Sequence, residues 1–123
     1  LGERVAALLT ALQAVALQGA DPLQAAGPWK DADLDELCRL LLMVYADLLS
    51  LHYCPRPPRL FHAGALGQLQ ALAPQLPARA IVAAQEDLRE RRAGLSHNLN
   101  PQLLAEAAFL TWGHLTTTAT TPS

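Results

Sequence analysis

Residues Leu103 to Trp112 (LLAEAAFLTW) read as a helix that is apolar on nearly every side, with only Glu106 and Thr111 offering polar atoms to water. A helix without a polar face has to be covered all round. A chain of 123 residues has little interior with which to cover one. The sequence therefore predicts that part of its surface belongs to a partner. The stretch before it has the opposite character. Glu86 to Arg92 (EDLRERR) is polar on most faces, and Asn98-Leu99-Asn100-Pro101 interrupts between the two.

The length fits one domain. Apolar residues make up 51%, enough for a core, while aromatics are only 5%, so that core is aliphatic and closely spaced. A net charge of -2 supplies no basic field to draw the chain to nucleic acid. Two cysteines, Cys38 and Cys54, make no secreted disulfide framework. Cys38 lies in an apolar helical run and reads as a small buried hydrophobe, which points to a reducing compartment, the cytosol. The longest uninterrupted apolar run, Leu40 to Ala46, is too short for a membrane span, and no signal-peptide pattern is present. The chain starts at Leu1 and enters a helical pattern without a cap, which reads as a piece of something longer.

The periodicity is helical throughout. Val5, Leu8, Leu9, Leu12 and Ala16 form one stripe, with Gly19 as its stop. Asp21-Pro22 reads as a cap followed by proline at the first helical position, opening a short helix that ends near Gly27. Asp33 with Glu36 resembles a capping box opening the longest helix, about 33–53. Its polar residues Asp35, Glu36, Arg39, Asp47 and Ser50 share one stripe, with Met43 inside it. The prolines of CPRPPR (54–59) make a stiff connector. Leu66, Leu69, Ala73 and Leu76 restart a stripe bracketed by Pro74 and Pro77. Ile81, Ala84, Leu88 and Leu95 give the next helix its apolar face, with Asp87 and Arg91 spaced to pair. Asn100-Pro101 opens the last helix, which is expected to run to about Leu115. The reading is an all-α single bundle of five to six helices over 1–115, followed by a disordered tail over 116–123.

Catalytic and metal chemistry find little support. His52, Cys54 and His62 are the nearest approach to a metal cluster, with His97 and His114 elsewhere, but the second short-spaced pair of a structural zinc site is missing. Ser96-His97 beside Asn98 and Asn100 lacks both a buried acid to orient the histidine and a glycine elbow to present the serine. There is no phosphate-binding glycine loop; Gly64 and Gly67 sit in a helical pattern. No cofactor, no metal and no enzymatic activity are expected of this segment. Arg89, Arg91 and Arg92 interleave with Glu86, Asp87 and Glu90 and read as a salt-bridged solvated face or a partner rim. On a helical wheel Phe109 falls with Gln102, Glu106 and Gly113, the polar side of the last helix. That places Phe109 as an exposed aromatic anchor of a protein interface, rimmed by Gln102 and Glu106, with Met43 as a second contact.

Three stretches carry a resemblance. The helix over 37–53 (CRLLLMVYADLLSLHY from Cys38) is similar to a family pattern LLxDLLxLxxG. Leu60 to Leu95 gives a helix, a short break and a helix with late charges. NLNPQLLAEAAFL is similar to the pattern N-x-N-P-x-L-x-x-E-x-x-x-L, with Asn98, Asn100, Pro101, Leu103 or Leu104, Glu106 and Leu110 on its positions. From about Ala7 to Trp112 the chain resembles the C-terminal domains of bacterial DNA polymerase III clamp-loader subunits, the delta prime subunit in particular. It departs at CPRPPR, where relatives carry a glycine or basic turn. The resemblance implies that two AAA+-type domains precede this one in the full subunit. It also implies that five such C-terminal domains pack into a circular collar. That collar holds the loader together while ATP-driven motions place the sliding clamp on primed DNA. Partners are then the other subunits (tau or gamma, and delta) through their C-terminal domains, with DNA met only through the assembly and no membrane contact. The isolated domain is expected to self-associate. The resemblance further implies a DNA-directed DNA polymerase as the parent holoenzyme and a structural role, without catalytic residues, for this segment. The competing readings are a nucleic-acid-binding helical domain, which the acidic balance opposes, and a small helical enzyme, for which no polar groups converge.

Overall fold

The computed structural model describes residues 2–29, 33–54, 59–94 and 101–120, with side chains at 4–29, 33–54, 59–62, 64–94 and 103–115. Within these residues there are six α-helices and no strand: α1 Gly2–Gln18, α2 Pro22–Ala26, α3 Leu34–Tyr53, α4 Leu66–Leu72, α5 Ala78–Ala93 and α6 Pro101–Thr120. The all-α reading and the helix count stand.

The local signals act where they were expected. Asp33 accepts from the backbone N–H of Asp35 (3.1 Å) and of Glu36 (3.3 Å), satisfying two donors that the first turn of α3 leaves without helical partners. Asp21 does the same for Leu23 at 3.0 Å, with Pro22 opening α2. Gly19 takes φ +71°, the left-handed conformation that ends α1, and the Ala20 N–H returns to the Ala14 carbonyl at 3.0 Å. Pro74 falls in a 3-10 turn (Ala73–Gln75), and Pro77 precedes the first residue of α5.

The core is one cluster. Val5, Leu8, Leu9 and Leu12 of α1, Leu37, Leu41, Val44 and Leu48 of α3, Leu69 and Leu72 of α4, and Ile81 and Leu88 of α5 all lose contact with water. Helix α6 runs through it. It packs against α1, α2, α3 and α5, and inserts Leu104, Ala105, Ala108, Phe109 and Trp112. The indole of Trp112 donates to the Leu12 carbonyl at 2.9 Å, so the largest buried side chain brings its polar atom in with a partner. Its ring lies 6.0 Å from that of Tyr45, tilted by 44°. Close approach of α2 to α6 depends on Gly113, where an added Cβ would come within 2.8 Å of Pro22 Cγ.

Three expectations change. First, the chain surrounds most of α6 itself. Its apolar excess is used largely inside the domain, because α2 and α5 flank the helix as well as α1. Second, Asp47 does not lie on the solvent face of α3; it is buried. Third, α6 is helical to Thr120, past the expected end at Leu115, as each further residue adds one helical hydrogen bond to a helix already nucleated. The connector prolines 55, 57 and 58, Leu95, the Asn98 and Asn100 positions and the last three tail residues lie outside the described residues.

Candidate partner interface

Helix α6 sorts its residues by angle. Leu104, Ala105, Ala108, Phe109 and Trp112 occupy one arc and are buried. The opposite stripe holds Leu103, Ala107, Leu110 and His114, at i, i+4, i+7 and i+11. Leu103 is 62% exposed and Leu110 40%, with Ala107 half-buried and His114 exposed between and beyond them. A leucine stripe on a helix is ordinarily turned inward; here it faces out.

Phe109, expected to be exposed on this helix, is 1% exposed. The helical wheel was right and the direction of the core was wrong. Phe109 does share a side with Glu106 and Gly113, and that side borders the core instead of water. Glu106 is half-buried there and holds a polar interaction of its own. Met43 is half-buried on α3. The side chain of Gln102 lies outside the described residues. Phe109 is therefore a core residue, and the large apolar side chains that α6 leaves exposed are Leu103 and Leu110.

The apolar stripe continues into a groove. Leu110 and Gly113 line, with Val15, Ala20 and Pro22, a depression of about 340 Å³ where the α1–α2 turn meets α6. Leu23, the next residue along α2, is exposed. A second, wider groove of about 560 Å³ runs between α1 and α2 over Ala7, Ala11, Ala14 and Ala25. Its lining is mostly alanine, with Thr10, Asp21 and Gln24 as the polar residues.

Charged groups hold the scaffold behind these surfaces. Arg92 of α5 forks onto both carboxylate oxygens of Asp35, at 2.7 and 3.3 Å, and its hydrogen bond holds the Asp35 carboxyl below the usual carboxylate range. Arg4 pairs with Glu36 and so ties α1 to α3. Arg91 pairs with Asp87 and Arg89 with Glu86 along α5, the salt-bridged face that the sequence predicted. Burial pushes the Cys38 thiol up to about 11 and raises the Tyr45 hydroxyl as well.

Of the residues weighed for metal binding, His52 and His114 are exposed, Cys54 caps the end of α3, and His97 lies outside the described residues. His62 is buried. Its backbone N–H donates to Asp47 at 2.9 Å, and the Phe61 N–H donates to the other Asp47 oxygen at 2.8 Å. The ring nitrogen Nε2 of His62 is buried without a hydrogen-bond partner among the described residues. Sequence reasoning missed this Asp47 anchor, since an acid on a helical polar stripe gives no sign that its partners are loop amides. Among the described residues no group of three or more His, Cys, Asp or Glu lies together as metal ligands, and no helix is long and apolar enough to cross a membrane.

The chain is thus an all-α bundle whose last helix passes through the core and still offers leucines to the outside. The chain belongs to the family described as DNA polymerase III, delta subunit, C terminal, whose model matches residues 3–114. The match names the delta subunit, where the sequence pattern had pointed to delta prime. No curated protein and no solved structure matches the chain.

Proposed function

We propose that this domain joins its subunit to neighbouring clamp-loader subunits, as one segment of a ring of C-terminal domains. The observation that supports it most is the outward stripe Leu103–Ala107–Leu110 beside the groove at Pro22, with Leu23 exposed next to that groove. Such a patch on a folded domain is a protein contact by its chemistry. The role is assembly: binding energy from this face holds the subunits together while other domains do the ATP-driven work. No step of catalysis is assigned to residues of this chain.

The test is light scattering after size-exclusion chromatography of this domain alone, then mixed with the C-terminal domains of the other loader subunits. A mixed complex is expected, and Leu103→Asp with Leu110→Asp is expected to dissolve it while leaving the circular dichroism spectrum and melting temperature unchanged. A domain that ignores all those partners removes the proposal. The neighbours it selects also decide its seat in the ring, as delta or as delta prime.

A further inference from the structure

We infer that the groove of about 340 Å³ between the α1–α2 turn and α6 is a socket for an arginine side chain of the neighbouring subunit. The inference rests on the assembly reading, since a neighbour that covers the Leu103–Leu110 stripe also reaches the groove that Leu110 lines. Three observations select this occupant. The walls are apolar: Val15, Pro22 and Leu110 line the groove, and Leu23 is exposed next to it. The fixed charge in it is negative. Asp21 lines the groove and is exposed. One Asp21 carboxylate oxygen accepts from the Leu23 N–H at 3.0 Å, and the other has no partner among the described residues. Gly19, just past the carbonyl end of α1, lines the same groove, and the C-terminal end of a helix adds partial negative charge. Finally, the chain brings no strong cation of its own to this face. The sequence holds no lysine or arginine between Arg4 and Lys30 and none after Arg92, so neither the α1–α2 turn nor α6 carries one.

A positive charge to complement Asp21 therefore comes from the partner. Arginine fits both halves of the groove. Its aliphatic stem is covered by apolar walls while its head stays with the carboxylate. The guanidinium is more weakly hydrated than a lysine ammonium, so it gives up less on entering a groove with such walls, and it stacks on flat rings. The groove supplies one in His114, the other titratable side chain of its lining. An acidic side chain would meet Asp21 and the end of α1 with like charge. A purely apolar side chain would cover Asp21 without satisfying it, which costs free energy.

The test is a binding titration of the full chain against the C-terminal domains of the other loader subunits, read by fluorescence anisotropy at several salt concentrations. Asp21→Asn removes the charge and keeps the fold, as asparagine caps a helix as well as aspartate does. It is expected to weaken binding roughly tenfold and to reduce its salt dependence. His114→Lys, at an exposed position, sets a fixed positive charge in the same groove and is expected to weaken binding as well. Among the partner's arginines, one changed to glutamine is expected to weaken binding to the wild-type chain and to cost nothing further against Asp21→Asn, the signature of a direct pair. An Asp21→Asn chain that binds within about twofold of wild type, while Leu103→Asp with Leu110→Asp still dissolves the complex, overturns the socket and leaves the assembly role standing. Tighter binding by His114→Lys overturns it too, because the partner then presents an acid. Absence of any complex overturns both readings.

Discussion

Asp47→Asn tests the least expected feature of the fold. The wild-type carboxylate accepts two backbone N–H groups, from Phe61 at 2.8 Å and His62 at 2.9 Å, in a buried position. Hydrogen bonds to a charged acceptor contribute about 1.5–3 kcal/mol each. Asparagine has almost the same shape but only one acceptor oxygen. One of the two amides must then face an NH2 group, donor against donor, and a buried donor without an acceptor costs about 1–3 kcal/mol. Against this, the neutral side chain no longer has a charge to desolvate, which offsets part of the loss. The net expectation is a destabilisation of about 2 kcal/mol, a noticeable fraction of the roughly 5–15 kcal/mol typical of a domain. Urea denaturation reads the global part through its midpoint at constant slope. Amide hydrogen exchange reads the local part. If the turn opens on its own, exchange at Phe61 and His62 accelerates roughly 30-fold, since about 1.4 kcal/mol is a factor of ten. A variant within about 0.5 kcal/mol of wild type, the range of an ordinary surface substitution, and with unchanged protection at both amides would refute the anchor. Asp47→Ala removes both acceptors and is expected to lose more.

Two further outcomes follow from burial. Phe109→Ala deletes a ring that is 1% exposed and is expected to cost about 3–5 kcal/mol, lowering the melting temperature by roughly 10–20 °C; a melt within two or three degrees of wild type, on about the same scale, returns Phe109 to the surface. Native thiol titration at pH 8 is expected to find one fast cysteine, the half-buried Cys54, and one that reacts only after denaturation, Cys38. The Cys38 thiol is raised in the folded state, so its contribution is complete below the unfolded value near 9 and is lost as pH climbs toward about 11. Stability near neutral pH is therefore indifferent to it, and two equally fast thiols would contradict the burial.

What the sequence determined by itself is local. Helical periodicity, the Asp21 and Asp33 caps, the left-handed Gly19 and the proline breaks are interactions within a few residues, so their spacing in the chain is their geometry. The Asp87–Arg91 pair was legible for the same reason. Tertiary structure decided which way each helix faces. The wheel put Phe109 on the side of Glu106, and no count of polar residues reveals that this side meets the core while Leu103 and Leu110 meet water. That choice depends on where α1, α2 and α5 stand around α6. The Asp47 anchor is of the same kind. It joins an acid to amides fourteen and fifteen residues away. In each case the energy lies in contacts between elements, and those contacts are fixed by packing and not by spacing along the chain.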